Sequence, residues 1–501
     1  MNNRLLQVTL LFCFFLSIYL LTYKGIDAGD DIFHYEVAKN LIRTSRLTLP
    51  EGKYDLKKQK WLKAFMAEGC NGRVYLTLPP GLSLASIPLG YIGNVIENHT
   101  DVIQYNEVIN SENTDDYTKL TFIRKLPSAF FIGLINPIVS ALTVLILFLF
   151  GQEIVKSQSK ALIGSFLFGL GTIIWPYSSN YWTQPLLTFC IFSSFYFIFL
   201  FSRHFKERCL LFAGLLAGYA FLARLESILT FPWLVLYLIA TLIYEKKSWL
   251  KPVGMFVIPF AVCVGLQMLW NLYRFGSLLK TGAFHQALLG MSFKANLLIS
   301  LPANLVSFQR SLFIYSPPLL LFFCAIRSLF LAQKRLASIL VGIILTNLLL
   351  YSKFSFWQAP ASWGPRFLVL LGPFIFLPVF LFLDRVLWKK VLIGFLFFAG
   401  LLIQLVGVLL PLQVMAQEKY WGDSWYDPRN YFTKSDIVPQ AAMLLKGKIE
   451  LWWLESPIKL LIGMALFFIT FLSLFLLVKK YTSWGIQRLP GFPFVLSSSD
   501  K

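Results

Sequence analysis

Twelve mainly apolar runs partition this chain: 5–23, 126–150, 161–176, 185–201, 209–223, 228–244, 252–272, 312–330, 336–352, 366–383, 391–411 and 458–478. A helix that crosses the hydrocarbon of a bilayer needs about 20 such residues. Lipid offers no partner for backbone N–H and C=O groups, and a helix satisfies them internally. Only 14% of the 501 residues are charged, against about 25% in soluble proteins. The expected fold class is an all-α polytopic membrane protein with about 12 transmembrane helices.

Cations set the expected orientation. With the N-terminus cytoplasmic, the short inside loops hold Lys156 and Lys160; Arg203, Lys206 and Arg208; Lys246, Lys247 and Lys251; Arg327, Lys334 and Arg335; and Arg385, Lys389 and Lys390. Lys479 and Lys480 follow the last run, so both termini are expected in the cytoplasm. The net charge of +20 is then mostly topology. It is not a nucleic-acid signal, because no soluble segment carries a basic stripe interleaved with aromatics. Anionic lipids are a second use for it. The first run follows Arg4 but no small-x-small cleavage site comes after it, so it reads as a retained anchor.

The expected organisation is a first helix at 1–23 and an outer segment at 24–125. A bundle at 126–411, an outer segment at 412–457, and a last helix with its tail at 458–501 follow. The outer segments are long and the inner loops short. Bulk on one side favours chemistry at the outer face over a channel or carrier, and no inverted repeat of the transporter kind is visible. Six cysteines and four histidines show no metal spacing and no disulfide framework, and no cofactor is implied. Acids near a phosphate remain able to recruit Mg²⁺. Asn98-His99-Thr100 fits a glycosylation sequon, a chance-level match.

Asp30 and Asp31 stand just after the first run. Acids are strongly disfavoured in hydrocarbon, which makes a pair at this place a site. The plain alternative is a solvated helix start, where acids suit the dipole. Residues Ile32 to Leu47 form an amphipathic pattern, with Tyr35, Ala38, Leu41 and Ile42 opposite Lys39, Asn40 and Arg43. Residues 51–73 read as a polar loop. Pro79-Pro80-Gly81 breaks the chain before a short apolar stretch, Leu82 to Ile96, which reads as interfacial or re-entrant. Trp175, Trp182, Trp357, Trp363, Trp421 and Trp425 read mostly as an interface belt.

Several segments, in order, resemble the GT-C, lipid-carrier-dependent glycosyltransferases of bacterial membranes. These are relatives of the protein O-mannosyltransferases and the lipid A aminoarabinose transferase. Gly29-Asp30-Asp31 with His34-Tyr35 resembles the family's acidic motif, and Tyr75 with Pro79-Pro80-Gly81 its Tyr-x-Lys-x-Pro-Pro-Gly turn. Arg124 to Ala129 resembles the entry to its second span, and Ala223-Arg224-Leu225-Glu226 its Ala-Arg-Pro-Glu corner. Asn271 to Ser277 and Gln309 to Pro317 resemble segments of one bacterial branch, and Trp363-Gly364-Pro365-Arg366 resembles the Gly-Pro-Arg motif. The resemblance covers 29–366. Where many members carry a Lys, this chain has Thr77.

The resemblance implies a GT-C-like bundle in the bacterial inner membrane, with interfacial helices in its first outer loop and its site on the outer face. It implies transfer of a sugar from a polyprenyl-phosphate donor to an extracytoplasmic acceptor, with inversion. Such a transfer needs a base for the acceptor hydroxyl and cations for the departing phosphate. Asp31, with Asp30 as the alternative, is the implied base. Arg366, Arg224 and Arg310 are the implied phosphate cations, with Arg274 weaker. The expected site is a cavity open outward and to lipid, lined by Asp31 and at least one of these three arginines. A flippase for a lipid-linked glycan and a non-catalytic relative are the rival readings.

Overall fold

The computed structural model describes residues 3–26, 30–52, 54, 56, 62–63, 65–99, 126–283, 292–359, 362–384, 386–410, 428–449 and 451–486. Among these, seven helices are long and apolar enough to cross a membrane: Pro127–Val155, Thr183–His204, Leu225–Tyr244, Leu250–Phe275, Lys334–Lys353, Leu387–Leu409 and Pro457–Lys479. Each coincides with one of the twelve runs.

The other five runs are helical but short or broken. The first is Asn3–Leu21 and another is Arg208–Ala223. The run at 161–176 stops at Gly171, because Thr172 is extended and a separate turn, Ile174–Ser178, carries Pro176. Pro317 and Pro318 divide 312–330 into Leu312–Tyr315, Pro317–Leu320 and Leu321–Ala332. Proline cannot donate a backbone hydrogen bond and crowds the preceding turn. The run at 366–383 is likewise cut, into Arg366–Leu368, Leu371–Phe376 and Val379–Phe382. Residues 366–380 are buried throughout. A helix apolar all round belongs at the centre of a bundle. One further apolar helix, Leu297–Val306, falls where an outer loop was expected.

Close packing of small residues holds the bundle. The helices Arg208–Ala223 and Leu250–Phe275 approach so closely that a Cβ on Gly214 would lie within van der Waals distance of the Phe256 carbonyl. Small residues let helix backbones meet in lipid, where burial of apolar surface gives no drive. The Trp452 and Trp453 indoles donate to the Leu20 and Leu21 carbonyls at 2.8 and 3.0 Å, satisfying the end of the first helix.

The described residues between 30 and 99 carry the expected helices and one added hairpin. The amphipathic stretch is the helix Asp30–Thr44. Within the expected polar loop, Met66–Glu68 pairs antiparallel with Val74–Leu76, Met66 opposite Leu76. Among the described residues the regular structure is helical apart from this hairpin and an isolated bridge between Gly25 and Asn180. Next come Gly81–Ala85 and Ile87–Asn98. The second has 12 residues, a rise of about 18 Å, too short to span hydrocarbon. It exposes Tyr91, Ile92, Val95 and Ile96 on one side and buries Gly90, Gly93, Asn94 and Glu97 on the other. Lys39 is not on a solvated face: it pairs with Glu97 at 2.8 Å, as does Arg43. Burial alone would raise the Glu97 carboxyl, but Lys39, the Ser128 N–H and Arg43 hold it below the usual range.

Candidate active site

The acidic motif is moored on both sides. Before it, the Lys24 and Gly25 N–H groups donate to the Ser179 carbonyl at 2.8 and 3.1 Å, and the Tyr181 N–H donates to Gly25 at 3.2 Å. The Lys24 ammonium donates to the Gly407 and Leu410 carbonyls at 2.7 and 2.8 Å, a cation at the C-terminal end of the Leu387–Leu409 helix. After it, Ser83 Oγ donates to the His34 carbonyl at 2.9 Å and lies 3.1 Å from His34 Nδ1. A hydroxyl has one proton, so His34 donates from Nδ1. Tyr35 and Ser128 share a 2.9 Å hydrogen bond. His34 is thus a buried, positioned residue and not a surface one. These contacts turn Asp31, the second residue of its helix, inward, where it is 1% exposed. The side chain of Asp30 lies outside the described residues.

Two tyrosines lie in the field of Asp31. Tyr177 donates to the Trp363 carbonyl at 3.1 Å, and the charges of Arg366, Arg310 and Asp31 all act on it. Tyr181 hydrogen-bonds Ser86 at 2.8 Å and also feels Asp31. Burial pushes both phenols well above their ordinary range, so both are neutral donors at physiological pH.

The arginines are organised by Gln184. Its amide is oriented by the network, with the oxygen accepting from Arg366 Nε and Arg224 Nη1, each at 3.1 Å. Two guanidinium groups share one neutral oxygen, and the Glu226 carboxylate pairs with Arg224. The Arg366 guanidinium carbon lies over the Trp182 ring, 3.6 Å from its centroid, a cation–π contact. Arg224 also donates to Glu226 at 2.6 Å and to Thr183 at 3.2 Å. Local sequence sets both arginines. Gly364 has φ +63° and its missing Cβ leaves room for the Tyr315 ring, so the turn before Arg366 requires glycine. Arg224 follows the end of the Arg208–Ala223 helix in extended conformation.

Beside this pair is a cavity of about 480 Å³. Thr77, Pro79, Thr183, Arg224 and Glu226 form its polar side, and Ile228, Leu229, Leu350 and Phe354 its apolar side. The Pro-Pro-Gly turn brings Thr77 there. A Cβ on Gly81 would fall 2.5 Å from the Leu222 carbonyl oxygen, so only glycine lets this turn seat against the backbone just before Arg224. Arg274 fastens the hairpin that leads into Thr77. It donates to the Leu76 carbonyl at 2.8 Å and to Asn271 at 2.9 Å, and it stacks on Phe275.

Of the residues expected to line one cavity together, Arg224 is found in this one; Asp31 and Arg366 are not among its lining residues. Arg310 is placed elsewhere. It is fully buried and donates to Asp436 at 2.9 Å and to the Gln309 and Ser362 carbonyls. Its charge is matched by Asp436. Replacing Arg310 by Met, or Asp436 by Leu, should cost about 3–5 kcal/mol, because each leaves one buried charge exposed to apolar surroundings. The double replacement should recover most of that loss. Thermal unfolding in detergent measures this; equal melting of single variants and wild type would show the pair to be dispensable.

The tryptophan belt also needs correction. Trp175, Trp182, Trp357 and Trp363 are buried inside the bundle, while Trp421 and Trp425 lie outside the described residues. Sequence reasoning missed Gln184, Tyr177 and the seating role of Trp182. A polar residue opening an apolar run was the one available signal for Gln184.

No protein-family model matches the chain, and no curated protein matches it. Solved structures do. The crystal structure of ArnT from Cupriavidus metallidurans bound to undecaprenyl phosphate aligns with a TM-score of 0.50 and 11% identity, over 94% of this chain and 77% of that one. The apo structure of the same protein aligns with a TM-score of 0.48 and 13% identity, over 87% of this chain and 69% of that one. This helical membrane protein therefore has the GT-C fold of ArnT.

Proposed function

We propose that this protein is a glycosyltransferase of the bacterial inner membrane, moving a sugar from a polyprenyl-phosphate carrier to an extracytoplasmic acceptor with inversion. The observation that carries the reading is the Gln184 amide gathering Arg224 and Arg366, with the Asp31 carboxylate buried in the same bundle. A neighbour of the same fold was crystallised with undecaprenyl phosphate.

The chemistry follows from the leaving group. A carrier phosphate departs as a stable anion, so no acid is needed to protonate it, unlike the alkoxide of an ordinary glycosidase. Arg224 and Arg366 hold the phosphate, and the guanidinium fork matches its oxygens. The cavity with Ile228, Leu229, Leu350 and Phe354 receives the start of the isoprenoid chain. Asp31 takes the proton of the acceptor hydroxyl as its oxygen attacks the anomeric carbon from the face opposite the phosphate. Tyr177 and Tyr181 remain neutral beside it, their hydroxyls engaged by the Trp363 carbonyl and by Ser86. Thr77, a neutral donor where relatives carry Lys, leaves phosphate binding to the arginine pair.

The test is release of free polyprenyl phosphate by the purified protein, given a polyprenyl-phosphate sugar and a crude extract of envelope acceptors. Carrier release that requires acceptor is the expected result. Movement of the intact lipid across vesicles, without release, would mean a flippase and end the transferase reading.

A further inference from the structure

A second hollow, of about 490 Å³, lies at the other end of the bundle. Ser202 and Arg203 line it from the end of the Thr183–His204 helix, Tyr237 and Tyr244 from Phe231–Tyr244, and Lys334 and Arg335 from the start of Lys334–Lys353. Two of these helices reach both hollows. Thr183 lines the first and Arg203 the second; Leu350 lines the first and Arg335 the second. The two stretches rise about 30 and 22 Å along their helices, comparable with a hydrocarbon core of about 30 Å. The second hollow thus faces the opposite leaflet, which its cations mark as cytoplasmic.

Its chemistry is that of an anion site. The Arg335 guanidinium lies 3.8 Å from the Tyr244 ring centroid. Its Nη1 is buried and has no hydrogen-bond partner among the described residues. The charges of Arg203 and Arg335 both act on the Tyr237 hydroxyl. The Lys334–Lys353 helix starts at this hollow, and Gln333 provides no side-chain cap for its first N–H groups. Uncapped helix starts favour anions. Glu245 is the acid among the lining residues, against Arg203, Lys334 and Arg335.

Membrane orientation asks only that cations lie near this end, in no fixed arrangement. It does not ask for a guanidinium laid on a tyrosine with a buried N–H, beside an uncapped helix. We propose that this hollow binds a phosphate group, carried either by an anionic lipid headgroup of the facing leaflet or by a soluble phosphate compound. The site is independent of the transfer reaction proposed above.

The experiment uses the full chain in phosphatidylcholine nanodiscs, with phosphatidylglycerol added in one arm and pyrophosphate in the other. Melting midpoint and, for lipid, native mass spectrometry are read against each probe. At least one probe should stabilise the wild type saturably, and Arg203→Gln with Arg335→Gln should weaken that by about tenfold or more. Lys206→Gln with Lys251→Gln removes equal charge from the same end outside the hollow and should leave it unchanged. Response to lipid alone assigns a headgroup; response to pyrophosphate alone assigns a soluble ligand. The wild type is also titrated with chloride at matched ionic strength, so a variant that fails to fold does not decide the matter. A response equal to that of chloride, or equal loss in both double variants, overturns the site.

Discussion

Asp31→Asn is expected to leave a folded protein that still binds carrier and transfers almost no sugar. The amide keeps the size and polarity of the carboxylate but cannot accept the acceptor's proton. General-base catalysis is typically worth about 10²–10⁴-fold in rate, and the loss should fall in that range. Stability should change little, because the moorings of this helix, Lys24, His34 and Tyr35, are untouched. The decisive comparison is Asp30→Asn. Neighbours on a helix point about 100° apart, so the two carboxylates do not serve one bond equally. If Asp31 is the base, Asp30→Asn keeps most of the turnover. Single-turnover release of free carrier, measured beside carrier affinity, distinguishes the outcomes. Full activity in Asp31→Asn with loss in Asp30→Asn would reassign the base, and full activity in both would remove the carboxylate from the chemistry.

How far the sequence foretold this arrangement depends on the range of the interactions. Run length gave the helices, because the bilayer imposes it locally. The breaks in 312–330 and 366–383 were also written locally, in Pro317, Pro318, Pro373 and Pro378, but hydropathy outweighed them in the reading. Gly81 and Gly364 were visible as motif residues, and the structure gives each a steric reason. Arg310 looked equivalent to Arg366 because its counter-ion, Asp436, lies 126 positions away in a segment with no recognisable pattern. Gln184 had only a weak local signature, a polar residue opening an apolar run. Its role exists only because the end of one helix, the corner at Arg224 and the turn at Arg366 converge, which is a property of the bundle. The burial of Trp182 and Trp363 follows from the same convergence: an indole at the end of a run reads as interfacial until another element covers it.

Arg366→Ala is expected to lower kcat/KM by about 10²–10³-fold, the usual scale for removing a charge-stabilising donor from an active site. Its effect should differ in kind from that of Asp31→Asn. The guanidinium serves bound carrier as well as departing phosphate, so carrier affinity and turnover both fall. Arg366→Lys should recover only part of the loss, because an ammonium keeps the charge but not the planar fork, nor the face laid on Trp182. Gln184→Leu isolates the positioning contribution. It removes no charge, yet it takes away the oxygen that both Arg366 and Arg224 donate to. Like charges then separate, and the phosphate loses a preset pair of donors. The expected result is a fall in kcat with a smaller change in carrier affinity, and Gln184→Glu should bind carrier worse than either, since a carboxylate would occupy the cations itself. Wild-type kinetics in Gln184→Leu would show that the arginines act separately. Wild-type carrier affinity in Arg366→Ala would move the phosphate site away from this turn altogether, leaving Arg224 at the cavity wall as the cation to test next.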